Sequence, residues 1–518
     1  MRFIKKYWFI IAILLISIMR FAFTFNLPNF YIQGMKYDDV LMIKQLNYVF
    51  DGKYLGKYND LTLIKGTLFP VLLFIIRIYR ISYSNGFTIL YILSSIYFIY
   101  ALKNVIKNKK VLIIIYALLL FNPAAYSQDL FQRLYRNSIS MTEFIFFLGS
   151  FINILFNKKE RIYHYLLFGL SLSFLFLTRD DNLWTYPIIL FVIIYKIIKN
   201  RSIKTIIMSV IPVLILCITL NVISCINYNY YGIYTYNEIQ KSEFHNTYKK
   251  ILQIKDDEKI HEVSIPKSTL YKLADYSSKF QITREEIDDY YNKYYMQEMN
   301  NGNIIWGLRE LVYTKFKFKS GKESEQYYKE LGIELDKLFE EGKLEKEFVM
   351  PSTYMAVPTK EDIVDTFKNC FYAVGYTSSY SDIKTLVKVD EFLYMPFENA
   401  YTFVYIDYHH TVNIVDKNEL RFELVRVFFK YTTIVLGVLS ICIYLKNIFK
   451  LDNIEILSHL LLIMYLLIIG GVAYTHTTSF HAIRPIYLGN IYIIQTIFIL
   501  INIYRLYTKS IRVNIRRT

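Results

Sequence analysis

Long apolar runs recur along this chain, and no other feature constrains its fold as tightly. An α-helix needs ~20 apolar residues to cross the ~30 Å hydrocarbon core of a bilayer. Spanning structures must also satisfy their own backbone hydrogen bonds there, which helices do. Runs at 8–25, 86–102, 111–121, 141–156, 163–177, 185–198, 203–225, 425–444, 454–472 and 485–504 give about ten expected spans. The first has no small-residue cleavage site after it and reads as a signal anchor. A further run, 68–81, is short and interrupted by Arg77 and Arg80. It is expected to lie along the interface or re-enter rather than cross.

The connectors alternate in charge. Arg2, Lys5 and Lys6 open the chain, and Lys103, Lys107, Lys109 and Lys110 follow the second run. Lys158, Lys159 and Arg161 follow the fourth, and Lys196, Lys199, Arg201 and Lys204 the sixth. Lys446 and Lys450 follow the eighth, and Lys509, Arg512, Arg516 and Arg517 close the chain. Every second connector is short and basic, which assigns that side, and both ends, to the cytoplasm of a multi-pass cell-membrane protein. These clusters account for the formal net charge of +16. Nothing resembles a nucleic-acid reading motif, so no nucleic-acid partner is expected. Cys217 and Cys442 lie in apolar runs, and no cysteine pair has metal-ligand spacing, which argues against a disulfide framework or a zinc site.

The expected fold is therefore an all-α polytopic membrane protein with juxtamembrane helices in its first outer loop and a mainly helical extracytoplasmic insertion. Three parts follow: a transmembrane module at 1–226 with its first outer loop at 26–85, a soluble outer domain at 227–421, and the last helices with a basic tail at 422–518. The insertion carries helix signals. Thr283 with Glu286 forms a capping box, Thr359 with Asp362 caps another helix, and Tyr328, Leu331, Leu335 and Leu338 recur at helical spacing before Gly342.

Four polar clusters fall on the outer side by an orientation argument that uses none of them. In the first outer loop Asp38 and Asp39 follow Tyr37, and Lys65 precedes Gly66 and Pro70. Paired carboxylates at the membrane surface suit a general base, or a metal ligand, and a lysine there suits a phosphate. The alternative is that Asp38 and Asp39 cap a helix starting near Val40. The second cluster is Arg179, Asp180 and Asp181, fit to hold a phosphate or sugar hydroxyls, or simply to snorkel at a helix end. The third carries Asp129, Arg133 and Arg136, where Asp129 and Arg133 at i,i+4 spacing favour an ordinary helix-surface ion pair. The fourth holds His476, His481 and Arg484; the histidines share no helix face, and Arg484 is the better phosphate candidate. Arg20 lies within the first span, where snorkelling to the outer surface is easy.

These residues resemble the type C glycosyltransferases, the multi-span class that includes protein O-mannosyltransferases and aminoarabinose transferases. Tyr37-Asp38-Asp39 matches the acidic site of the first outer loop in that class, and Lys65-Gly66 with Pro70 matches the start of its juxtamembrane helix. Asn122-Pro123, Tyr126-Ser127 and the arginines after them are also similar. The likeness covers roughly 1–201. It implies a polyprenyl-phosphate sugar donor, inversion at the anomeric carbon, and Asp38 or Asp39 as base. Lys65, Arg133, Arg136, Arg179 and Arg484 would hold the donor phosphate, and Tyr37, Asp180 and Asp181 would contact substrate. The acceptor would be an envelope glycan, lipid or protein. No cofactor is fixed by the sequence, and a divalent metal stays open. The insertion at 227–421 departs from the usual plan of that class.

No Walker-type phosphate loop, GxGxxG after a strand, HExxH or GxSxG is present. Two competing functions stand beside the transferase. One is a transporter or flippase for an anionic lipid or polysaccharide, which needs charges inside the spans; apart from Arg20 and Glu143 these are nearly charge-free. The other is a non-catalytic envelope protein that binds a partner through its outer domain.

Overall fold

The computed structural model describes residues 2–348 except 26, 33, 158, 259 and 296, and then residues 358–384, 408–450 and 452–515. Among the described residues every regular element is helical. In chain order these are α1 (Arg2–Phe23), α2 (Asp39–Phe50), α3 (Leu68–Ile78), α4 (Tyr83–Leu102), α5 (Lys109–Leu120) and α6 (Asn137–Phe156). Then follow α7 (Ile162–Thr178), α8 (Thr185–Lys199), α9 (Ile203–Tyr231), α10 (Glu243–Leu252), α11 (Lys267–Tyr276) and α12 (Arg284–Tyr294). The last are α13 (Ile304–Phe316), α14 (Gly321–Glu340), α15 (Lys360–Ser379), α16 (Tyr408–Leu445), α17 (Asn453–Thr478) and α18 (Pro485–Ile515).

Among the described residues, 7 helices are long and apolar enough to cross a membrane: segments of α1, α4, α6, α9, α16, α17 and α18. The other expected spans are helical but shorter, with 12 residues in α5, 17 in α7 and 15 in α8. The reason for the early stop of α5 is local. Asn122 turns its side chain onto the Ala124 N–H at 3.0 Å and Pro123 opens a 3-10 turn, so the helix cannot continue. The run at 68–81 forms the 11-residue α3, too short to cross alone. It packs against α2, α4 and α7.

Helix α6 sits at the centre, packed by α4, α7 and α18 and buried along almost its whole length. A helix apolar on all sides needs such a position. Two apolar clusters organise the chain. One joins α1, α4–α9 and α15–α18; the other joins residues between Leu27 and Ile76 to the segment from Tyr231 to Leu344. The Thr283–Glu286 capping box forms at the start of α12 and the Thr359–Asp362 box at the start of α15, and Gly342 ends α14 at φ +69°, a left-handed conformation that costs glycine little.

Arg20 corrects the sequence-based expectation. Its side chain does not snorkel; it is fully buried. The guanidinium donates to the Ala125 carbonyl at 2.7 Å and lies over the rings of Tyr126, Tyr91 and Phe131 at 5.1–5.7 Å. Cation–π contact substitutes for the water that the outer surface would supply.

Candidate functional site

The site begins with a short backbone splice. After α1 the chain runs alongside the 122–136 connector, where Phe30 and Arg133 form a parallel bridge. The Phe30 N–H donates to Gln132 at 3.2 Å and the Leu134 N–H to Phe30 at 2.7 Å. This register lays Arg133 over the start of α2. Arg133 donates to Asp39 through Nε at 3.0 and 2.9 Å and through Nη2 at 2.6 Å, and the Ile32 N–H adds a fourth bond at 2.8 Å. Asp39 has no solvent exposure. The expected Asp129–Arg133 helix pair is therefore not what forms. Residues Gln128–Gln132 make a single π turn, Arg133 leaves it in an extended conformation, and its fork is taken by Asp39.

Asp38 points the other way. Successive residues at a helix start diverge by about 100°, so the two neighbouring carboxylates serve different surroundings. Asp38 is the N-cap of α2 but makes no side-chain cap bond. It pairs instead with Lys65, accepts from the Tyr135 hydroxyl at 2.8 Å, and keeps 32% of its side chain exposed. Lys65 also donates to the Tyr135 oxygen at 3.0 Å, and Arg136 donates to the same oxygen at 3.1 Å. Burial works to raise the Asp38 carboxyl, but the Lys65 ammonium, the Tyr135 hydroxyl and Arg136 outweigh it and hold the pKa at about 2. Asp39 is shifted upward, because its burial outweighs Arg133.

Lys65 reaches this point because Gly66 packs directly against the end of α7. A Cβ on Gly66 would lie 1.9 Å from the Leu177 carbonyl oxygen. From that same helix end, Thr178 accepts from Arg136 at 3.1 Å. Arg179 takes Asp181 with two bonds of 3.0 and 2.5 Å and Asn137 with one of 2.7 Å. Asp180 lies 3.8 Å from Arg136 and accepts from Asn237 at 2.6 Å. Burial pushes the Asp180 carboxyl up, whereas the Arg179 pairing overcomes burial and lowers Asp181.

Of the residues singled out from sequence, Asp38, Lys65 and Arg136 meet at the Tyr135 hydroxyl, with Asp180 beyond Arg136. The Asp39–Arg133 pair lies beside them, with its guanidinium 5.1 Å from the Tyr135 ring, and the Arg179–Asp181 pair forms separately at the end of α7. Arg484 joins none of these: the residue is exposed and its side chain makes no hydrogen bond among the described residues. Tyr37 sits at the rim, where its hydroxyl donates to Glu310.

Glu310 belongs to a set that sequence reasoning passed over. Helix α13 of the insertion lies across the first outer loop. Its Trp306 stacks on Tyr37 with centroids 6.0 Å apart, and Lys65 Nζ lies 5.6 Å from the indole. Glu310 also accepts from Lys36 at 2.7 Å and from Tyr290 at 3.2 Å. Arg309 is buried, donates to the Asp60 carbonyl at 2.7 Å and the Thr62 carbonyl at 3.2 Å, and pairs with Glu238 at 2.7 Å. Two charged residues interrupting an otherwise apolar helix face were the available signal.

Among the described residues no group of three or more His, Cys, Asp or Glu side chains is placed to hold a metal ion. Each acid of the site faces a cation rather than another acid, so these residues do not fit a divalent metal. His476 and His481 lie with ring centroids 5.2 Å apart, outside this network. Compared with protein-family models, curated proteins and solved structures, the chain matches none.

Proposed function

We propose that this chain is a membrane glycosyltransferase that moves a sugar from a polyprenyl-phosphate donor to a cell-envelope acceptor on the outer face. The reading is carried by one observation: Asp38, the partly open carboxylate of the network, is held by Lys65 and the Tyr135 hydroxyl where α6 begins and α7 ends. In this reading those helix ends face outward, at the depth of lipid phosphates. In this reading α5, α7 and α8 complete ten membrane crossings, with the basic connectors and both ends cytoplasmic.

Asp38 is the base and Asp39 a structural partner of Arg133. A donor phosphate competes for Lys65 and draws it off Asp38, which frees the carboxylate to accept a proton. The acceptor hydroxyl loses its proton to Asp38 and its oxygen forms a bond to the anomeric carbon from the face opposite the phosphate. The bond from that carbon to the phosphate oxygen breaks, and the electron pair leaves as polyprenyl phosphate, stabilised by Lys65 and Arg136.

The test uses purified wild type and Asp38→Asn in detergent. Binding of a polyprenyl-phosphate sugar and release of polyprenyl phosphate are measured with and without divalent metal. Wild type is expected to turn over, and the variant to bind without turnover. A wild type that fails to bind the lipid overturns the reading. One observation favours transport instead: the buried Arg20 within α1, since an ionisable group inside a span marks a pathway by default. Lipid movement in proteoliposomes that persists in Asp38→Asn and is lost in Arg20→Met would establish that alternative.

A further inference from the structure

Helix α15 faces the wrong way for a helix in water. A soluble amphipathic helix buries its large apolar side chains and exposes its polar ones. In α15 the outward stripe is Ile363, Val364, Phe367, Phe371 and Val374, with Phe371 78% exposed and Phe367 66%. The inward stripe is small or polar. Asn369 donates to Thr477 of α17 at 2.9 Å, Ala373 and Thr377 are buried, and Cys370 packs beside them. Small and hydroxyl-bearing residues facing neighbouring helices, with large apolar residues facing out, are the pattern of helices packed in lipid.

The contacts of α15 tie it to two candidate spans, α17 and α18, well below their ends. Gln495 of α18 donates to Thr377 at 3.0 Å and to the Tyr465 hydroxyl of α17 at 3.1 Å. Gln495 is about ten residues below Pro485, so Thr377 sits ~15 Å beneath the outer end of α18 at 1.5 Å per residue. That is about half of the ~30 Å hydrocarbon thickness. Tyr380 goes on to accept from Asn122 at 3.2 Å and to stack near Tyr492. Ala373, Tyr380 and Ile383 belong to the apolar cluster of the spans, whereas the insertion from Tyr231 to Leu344 belongs to the other cluster.

Charge follows the same division. Lys360, Glu361, Asp362, Asp365 and Lys368 all fall in the first half of α15, where Asp362 meets His261 of the outer domain at 3.2 Å. From Asn369 to Ser379 the helix carries no charge. Two helices packed on α15, namely α16 and α17, likewise expose large apolar side chains, with Val435, Val438 and Leu466 58–64% exposed.

We propose that α15 re-enters the membrane from the outer side, and that its exposed stripe is a docking surface for lipid acyl chains. The insertion at 227–421 is then not one soluble domain: its second part is a membrane element wedged among α16, α17 and α18.

The test attaches a nitroxide spin label to single cysteines in a full-length background with Cys217, Cys225, Cys370 and Cys442 changed to Ser, reconstituted in phosphatidylcholine vesicles. Labels at Phe367→Cys, Phe371→Cys and Val374→Cys are compared with Leu466→Cys on α17 and Lys337→Cys on α14. Power saturation reads collision with oxygen, which concentrates in hydrocarbon, and with a water-soluble nickel chelate. The α15 labels are expected to match Leu466, with oxygen collision several-fold above nickel. Nickel collision at the Lys337 level overturns the proposal. So does shielding from both reagents, which would mean that protein, such as a second copy of the chain, covers the stripe. Val374 carries the test where a label at Phe371 prevents folding.

Discussion

Asp38 and Asp39 offer the same chemical change in two surroundings one residue apart. Asp39→Asn removes a carboxylate that takes three contacts from Arg133 and one from the Ile32 N–H, with Asp39 wholly buried and the Arg133 side chain only 7% exposed. The guanidinium is then left buried beside a neutral amide that also presents N–H groups to it. Breaking a buried pair in this way costs ~3–5 kcal/mol. Asp38→Asn removes a carboxylate with 32% of its side chain exposed, and water can reorganise around the change. Lys65 is itself only 6% exposed but keeps the Tyr135 oxygen, so the cost is expected at ~1–3 kcal/mol. Asp39→Asn should therefore be the more destabilising of the two, by ~2 kcal/mol. The assay is unfolding in mixed micelles titrated with sodium dodecyl sulfate, run on both variants, on Arg133→Met and on Asp39→Asn/Arg133→Met. The double variant should recover ~2 kcal/mol relative to the sum of the singles, because the uncompensated charge is gone. Turnover should vanish in Asp38→Asn. Equal stabilities, with turnover lost only in Asp39→Asn, would refute the assignment of roles.

Three further outcomes follow from the geometry. Gly66→Ala should cost more than ~2 kcal/mol in the same titration, because the new methyl meets a backbone carbonyl that cannot step aside; a smaller loss would mean the Lys65 turn is not clamped to α7. Trp306→Ala should raise the donor KM about tenfold, the equivalent of ~1.4 kcal/mol of lost ring contact, and Trp306→Phe should keep most of the affinity; an unchanged KM in both would separate α13 from the site. Burial, with Glu238 and Glu243 nearby, raises the Glu325 carboxyl to about 7. Its folded-state value lies above the unfolded one, so the folded chain holds the proton longer and stability falls as pH rises from ~4.5 to ~7. Glu325→Gln should remove that loss, giving a gain of ~1 kcal/mol at pH 8 and none at pH 4; a gain independent of pH would contradict it.

The sequence makes the helical membrane plan legible because it depends on local pattern. Apolar runs mark α4, α6, α9 and α17 without any partner, and the capping boxes at Thr283 and Thr359 are complete within four residues. What stays hidden depends on distant pairing. Asp129 and Arg133 satisfy a helix rule, but the backbone splice at Phe30 takes Arg133 to a residue 94 positions away. Tyr135, the hub of the site, has no local signature, since its role is defined by Asp38, Lys65 and Arg136 arriving around it. Glu310 reaches Tyr37 across 273 residues, and Trp306 stacks on the same ring. Helix α15 lacks a long apolar run because half of its membrane-facing circumference is turned to other helices, which dilutes its hydropathy below that of a span.

The wide separation of the site's parts has a consequence for biosynthesis. Asp38 is made early, Arg179 later, Trp306 later still, and the Ile486 carbonyl that receives Arg179 at 3.3 Å comes near the end. About 450 residues separate Asp38 from Ile486, so at ~5–20 residues per second the first carboxylate waits ~20–90 s for the last contact. The charge partners of Asp38, Asp39, Arg136 and Arg179 are all made by residue 181, so these ion pairs can form early. A ribosome that stalls before α18 therefore releases a chain whose acids and bases are paired but whose Arg179 lacks its last acceptor and whose α6 lacks the packing of α18.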